Sequence, residues 1–356
     1  MRILILGAGG FIGSNLTEHL LKETEHVVVG LDEDDEKTAD IKAPADRFVF
    51  HKIDITKNQG VVDRLVQESD LVIDLIAYAN PSVYVSQPLD VVDLNLFQNL
   101  RVVDDCIRFG KRLIQFSTCE VYGLSSGSRE PFHEDTTNLI MGPIKNQRWI
   151  YACAKQLLER MVYAYGQTAG LEFTIVRPFN FVGPKIDYLV EAGSVGGPRV
   201  FSHFMSALIA GGPLQLVDGG TAHRSYTHID DACSAIRLLI ENPEACRNEI
   251  VNIGNPNNGT TIRELAHLMI ELYEELTGEK SRSSIVETSG ERFYGAGYED
   301  CDWRVPDVEK MVSLGWEPQL DLRETFKQTM QWYLDRLAAD TPLPSFLRAN
   351  PVESVR

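Results

Sequence analysis

RILILGAGGFIG, residues 2–13, is the stretch that decides the fold. Arg2–Leu6 reads as a strand, and Ile12, Leu16 and Leu20 then recur at helical spacing. Between them lies a turn punctuated by Gly7, Gly10 and Gly13. Gly7 allows the tight turn, Gly10 lets the backbone approach a pyrophosphate, and Gly13 lets the helix pack closely on the strand. The helix start, with Phe11 and Ile12, faces the phosphate charge with its free N–H groups. A glycine triplet alone is a weak signal; the strand before it and the helix after it give it meaning.

Working outward, short apolar runs alternate with amphipathic segments. His26–Leu31, Phe48–Lys52, Leu71–Ile76, Arg112–Ser117 and Glu172–Val176 read as strands, with helices over about 90–109 and 149–169. The strands are continuously apolar, as expected where helices cover both faces of a parallel sheet. The pattern predicts an α/β fold: a Rossmann-type doubly wound parallel sheet with a smaller, interleaved C-terminal substrate-binding domain. Residues 1–180 form the NAD-binding part, to which 227–255 return through a helix at Asp230–Glu241 and a strand at Ile250–Ile253. Residues 181–226 and 256–340, broken by glycine and proline, form the substrate part, with a closing helix at Leu322–Leu337. Residues 341–356 read as a loosely packed tail.

Composition narrows the function classes. The net charge of −17 argues against nucleic-acid binding, since no overall positive field gathers phosphates. No apolar run approaches the roughly 18 residues of a membrane span, and the opening stretch reads as a strand, not a signal peptide. The six cysteines form no C-x-x-C pair, which points away from zinc and disulfides and towards a reducing cytoplasm. No histidine pairs with carboxylates at ligand spacing, so no metal is expected.

Asp32 ends the second strand about 20 residues past the glycines, where a carboxylate accepts hydrogen bonds from the ribose hydroxyls and repels an extra phosphate. NAD is therefore favoured over NADP. Asp54 and Ile55 follow the third strand and are placed for the adenine; Leu75 and Ala77, at the end of the fourth, complete the cofactor wall. Tyr151 and Lys155, four apart at the start of a helix, share one face. An ammonium beside a phenol lowers its pKa from about 10 towards working pH, making Tyr151 an acid/base for a sugar hydroxyl. Thr118, at a strand end, is placed to bond the same hydroxyl.

The glycine turn, Thr118, Tyr151 and Lys155 resemble the extended short-chain dehydrogenases/reductases that act on nucleotide sugars. The resemblance runs to about residue 335. FSTCEVYG (116–123), NQRWIYACAKQLLERMVYAYG (146–166), GLEFTIVRPFNFVGP (170–184), LVDGG (216–220), VNIGNPNN (251–258) and FYGAGYEDCDWRVPD (293–307) are similar to the UDP-glucuronate decarboxylase subgroup. That subgroup includes UDP-apiose/UDP-xylose synthases and the decarboxylase of the lipid A aminoarabinose pathway. The resemblance implies oxidation of UDP-glucuronate at C4 and then decarboxylation, an activity between oxidoreductase and lyase. Glu120 would assist carbon dioxide loss, Cys119 would deliver a proton, and Arg148 and Arg304 would meet the sugar carboxylate. Asn180, Arg199, Val217, Arg224 and Tyr226 would bind the UDP half, with Pro81, Tyr84 and Tyr298 also on the substrate side. A homodimer through a four-helix bundle of the helices near 90–109 and 149–169 is implied as well. The synthases that contract the sugar ring use a second thiol, and this chain has Ala79 there. That leaves UDP-xylose, UDP-apiose or the UDP-4-keto-pentose as product, the first and last favoured. The competing readings are a UDP-glucuronate 4-epimerase and a non-catalytic NAD-sensing scaffold.

Overall fold

A computed structural model describes residues 1–125, 127, 129–339 and 345–347. Among them, seven strands form one parallel sheet: β1 (Arg2–Leu6), β2 (Val27–Asp32), β3 (Phe48–Lys52), β4 (Leu71–Asp74), β5 (Arg112–Phe116), β6 (Phe173–Pro178) and β7 (Glu249–Ile253). Their spatial order is β7-β6-β5-β4-β1-β2-β3, every neighbouring pair parallel. The order reverses between β1 and β4, and a crevice opens there beyond the strand ends.

Alternate residues of one strand feed two different cores. Ile3 and Ile5 join the apolar cluster on one face, while Leu4 and Leu6 join the cluster on the other. Burial on both faces is why the central strands read as unbroken apolar runs. The edge strand β3 departs from that expectation. It is covered less completely, and Val49 stays exposed.

Most of the expected elements appear with ends shifted by one or two residues. Helix Phe11–Glu23 follows the glycine turn, Ile150–Ala169 carries the Tyr and Lys, and Ile229–Glu241 and Leu322–Ala338 lie where periodicity put them. The helix expected over 90–109 is composite: an α-turn at Pro88–Val92, a π-helical turn at Asp93–Gln98, and an α-helix at Asn99–Phe109. Helices Gln59–Gln67, Val200–Ala210 and Ile262–Thr277 were not read from the sequence. The last starts with a capping box in which Thr261 and Glu264 satisfy each other's backbone N–H groups.

Beyond β6 the chain builds small paired strands. Phe181–Val182 pairs with Thr227–His228, Leu214–Val217 with Ile285–Thr288, and His223–Ser225 with both Gly259–Thr261 and Trp303–Arg304. These pairings bring Arg224 alongside Arg304 in direct register. Of the expected tail, Ser345–Leu347 is a short turn that docks on the body: Leu347 is buried, and its carbonyl accepts the N–H of Leu189 at 3.2 Å. The remaining tail residues lie outside the described residues. No described helix is long and apolar enough to cross a membrane.

Candidate active site

The glycine turn is sterically committed to its shape. Gly7 has φ +86°, and a Cβ there would sit 3.1 Å from Leu75 of the neighbouring strand end. At Gly13 a Cβ would lie 2.2 Å from the Gly7 carbonyl oxygen, so the helix can start this close to β1 only without a side chain. Gly9, which the sequence reading passed over, is the tightest: its Cβ would lie 1.7 Å from the Asp34 carbonyl oxygen. Its N–H donates to Asp32 Oδ2 at 3.0 Å, tying the turn to the end of β2. The first helical turn has neither a side-chain cap nor an acidic residue. Its N–H groups are thus open to an anion.

The open N–H groups of the helix start and the Asp32 carboxylate at the end of β2 make a cradle whose donor and acceptor set fits a dinucleotide. Burial raises the Asp32 carboxyl's pKa somewhat, opposed by the N–H groups of Asp34, Glu33 and Gly9. Asp54 is committed to its own turn. It accepts from the Thr56 N–H and hydroxyl and pairs with Lys57 at 2.7 Å, and these contacts hold its pKa down to about 2. Ile55 beside it is buried.

A cavity of about 170 Å³ runs from the helix start to the Tyr–Lys pair. Phe11, Ile12, Leu75, Ala77, Ala79, Tyr84, Thr118, Cys119, Tyr151 and Lys155 all line it. Thr118 caps the short turn Cys119–Tyr122 by accepting the Glu120 N–H at 3.1 Å, and it also hydrogen-bonds the Tyr151 phenol. Tyr84 stacks flat on Tyr151, with ring centroids 4.5 Å apart and planes 8° apart.

The electrostatics differ from the sequence expectation. Burial, and then the Glu120 charge, push the Tyr151 phenol well above its ordinary pKa, against the hydrogen bond from Thr118. Lys155 is not among the leading influences on it. The ammonium points inward, donating to the Phe116 carbonyl at 3.0 Å and reaching Asn99 Oδ1 at 3.5 Å. Burial lowers Lys155 to about 8, against the pull of Asp74 and Glu159. A cation bound next to the phenol is needed to bring it into the working range.

Beside the phenol lies a charged cluster. Arg148 grips Glu120 with two hydrogen bonds of 2.7 and 2.9 Å, and Arg304 approaches the same carboxylate at 3.6 Å. Burial opposes ionisation of Glu120, but the two arginines outweigh it and hold its pKa below the usual value. Asp300, which the sequence reading missed, is the second acid. It lies 2.6 Å from Arg224, 3.7 Å from Arg304 and 3.9 Å from Arg148. All three guanidiniums are nearly inaccessible to solvent. Arg148 Nε and Arg304 Nε and Nη2 nevertheless have no hydrogen-bond partner. Buried donors left open beside a cavity mark a place for an anion. Cys119 is buried next to them, and burial raises its thiol pKa, so it holds its proton.

A second cavity of about 390 Å³ continues from the first, sharing Glu120, Asn180, Phe181, Arg199 and Arg304 with it. Pro81, Val217, Arg224, Tyr226 and Tyr298 line this larger space. Asn180 has φ +40°, and its side chain donates to the Ser225 carbonyl at 2.8 Å, fixing the turn after β6. Arg199 starts helix Val200–Ala210, lies over the Phe11 ring at 5.6 Å and so bridges the two cavities. Tyr294 stacks on Tyr298 with centroids 4.2 Å apart. Tyr294, like Asp300, was not singled out from the sequence; both belong to the stretch 293–307 quoted above. Among the described residues no cluster of histidine, cysteine and acid side chains is arranged to hold a metal.

Residues 3–254 match the NAD dependent epimerase/dehydratase family. The chain is 44% identical to UDP-D-apiose/UDP-D-xylose synthase 1 of Arabidopsis thaliana, covering 93% of this chain and 91% of that protein. It is 43% identical to the UDP-D-apiose/UDP-D-xylose synthase of Oryza sativa subsp. japonica, covering 93% and 89%. Among solved structures, the PbgP3 protein from Burkholderia pseudomallei is 36% identical with a TM-score of 0.83, over 95% of this chain and 97% of that one. The chain belongs to the NAD dependent epimerase/dehydratase family.

Proposed function

We propose that this protein is an NAD-dependent UDP-glucuronate decarboxylase that oxidises the sugar at C4 and releases its carboxyl group as carbon dioxide. The observation that carries the proposal is the set of open, buried guanidinium donors on Arg148 and Arg304 beside the Tyr151 phenol. They offer a fork-shaped site to a carboxylate next to an acid/base residue.

Gly7, Gly10, Gly13 and Asp32 would hold NAD, which would accept the C4 hydride and be able to return it. Tyr151, ionised once a positive charge of the bound cofactor lies beside it, would as phenolate take the proton of the C4 hydroxyl, and Thr118 would orient that hydroxyl. A ketone at C4 makes the sugar a β-keto acid, so the C5–C6 bond breaks as carbon dioxide leaves and its electrons form an enolate. Arg148 and Arg304 hold the carboxylate until it leaves. Glu120, kept ionised by both arginines, aligns them and is no proton donor. The Cys119 thiol, kept protonated by burial and lining the same cavity, returns a proton to C5. Ala79 lines the cofactor-side cavity with no thiol, which favours UDP-xylose or the UDP-4-keto-pentose over ring contraction.

The UDP half occupies the larger cavity, lined mostly by residues between 180 and 226 and between 262 and 304, with Asn180, Arg199, Arg224 and Tyr226 around the diphosphate and ribose. A homodimer is proposed through the helices around Phe97, Leu157 and Tyr163, whose large apolar side chains are exposed. Six free cysteines suit a reducing cytoplasm. Product analysis by NMR after incubation with NAD and UDP-glucuronate tests the assignment. A pentose nucleotide supports it, and UDP-galacturonate would make the protein a 4-epimerase.

A further inference from the structure

One buried ionisable group has no part in the chemistry above. Asp74 ends β4, is completely buried, and lies behind the Tyr–Lys pair. Its Oδ1 accepts the Ile76 N–H at 3.1 Å, and its Oδ2 accepts Gln115 Nε2 at 3.3 Å. The same Gln115 nitrogen donates to Asn99 Oδ1 at 3.2 Å, which also receives the Lys155 ammonium at 3.5 Å.

The orientation of every amide in this line is determined. Asn99 Nδ2 donates to the Leu94 carbonyl at 2.8 Å and the Ile76 carbonyl at 3.3 Å, so its oxygen must face Lys155 and Gln115. Gln115 must therefore turn its nitrogen towards that oxygen, and the same nitrogen meets Asp74. Both Asp74 oxygens then face donors; burial raises its pKa to about 6, against Lys155, the Ile76 N–H and Gln115, so the carboxylate is ionised above that pH. A donor nitrogen shared between two acceptors carries no proton across, and Gln115 Oε1 has no partner. The line is a rigid spacer between two charges, and no relay.

We propose that Asp74 is a positioning residue: the buried counter-charge that keeps Lys155 protonated, acting on it across Gln115 and Asn99. The proposal rests on the reading of Lys155 as the cationic partner of the cofactor site. The other groups around the pair do not replace Asp74. Glu159 faces Lys155 from its own helix but is held by Arg177 at 2.6 and 3.0 Å. Cys106, facing Asp74 from helix Asn99–Phe109, is kept neutral by burial. Tyr151 is a neutral phenol, also held so by burial. Lys155 itself is lowered to about 8 by burial with Asp74 present, so loss of the carboxylate takes it lower still.

The test is Asp74→Asn in the full chain, with NAD affinity and carbon dioxide release each followed from about pH 6 to about pH 10. Wild-type affinity is expected to fall as pH rises through about 8. In Asp74→Asn the same fall is expected about 1 pH unit lower, the size of one lost opposite charge. A uniform loss with an unmoved midpoint would mean a structural role only and overturns the proposal. If wild type releases no carbon dioxide, the decarboxylase reading fails while the NAD-affinity midpoint still decides the role of Asp74. If Asp74→Asn does not fold, Asp74→Ser, smaller and uncharged, is measured the same way.

Discussion

The Arg224 guanidinium lies 2.6 Å from the Asp300 carboxylate, in a cluster where three arginines (Arg148, Arg224, Arg304) face two acids (Glu120, Asp300), a surplus of one positive charge. Burial opposes ionisation of Asp300, but Arg224, Arg304 and Arg148 outweigh it and hold its pKa down to about 2. Asp300 thus competes with any anion the arginines receive. In Asp300→Asn the surplus becomes two. UDP-glucuronate is expected to bind roughly tenfold tighter, about 1.4 kcal/mol, while UDP-xylose, lacking the carboxylate, gains far less. Calorimetric titration of both ligands checks this; equal gains for the two would count against it.

Arg148 and Glu120 are a buried pair, with side-chain exposures of 2% and 14%. Removing one partner strands the other charge, so Arg148→Ala should cost about 3–5 kcal/mol of stability. The double variant Arg148→Met/Glu120→Gln should regain most of it. Urea unfolding midpoints of the set provide the check, and an additive double variant would show that the two side chains are not coupled.

Much of this fold was legible because its signals are local. The glycine turn is read from its own residues, the strands from unbroken apolar runs, and the Tyr151–Lys155 spacing from the 3.6-residue helical period. What was not legible depends on contacts between distant segments. Nothing near Gly9 shows that Asp34 will approach it, and nothing near Asp300 shows that strand pairing beside Arg304 will bring Arg224 to it. The direction of the Lys155 ammonium was misread for the same reason. Sharing a helix face with Tyr151 did not reveal that Asn99 and the Phe116 carbonyl would capture it.

Tyr151→Phe removes only the phenol oxygen and leaves the ring stacked on Tyr84. Turnover should fall by about 10²–10⁴, the usual contribution of a positioned acid/base. NAD affinity should change by less than about threefold, since the cradle at Gly7–Gly13 is untouched; a parallel collapse of binding would contradict a purely chemical role. Fluorescence titration beside initial rates separates the two.

Activity and stability should respond to Lys155 with opposite signs above neutral pH. Its charged form is the working one, so turnover falls as pH rises through about 8. Between about 8 and the unfolded value of 10.5 the unfolded chain binds the extra proton, so this group's contribution to stability rises with pH over that window. Rates and urea midpoints measured across the window check both signs, with Lys155→Met expected to lose the rising stability term.

The most direct test of the central claim is release of labelled carbon dioxide from carboxyl-labelled UDP-glucuronate by the purified protein with NAD. One carbon dioxide per sugar nucleotide consumed is predicted, with release lost in Tyr151→Phe. Consumption of the substrate with the label retained in the sugar would contradict it.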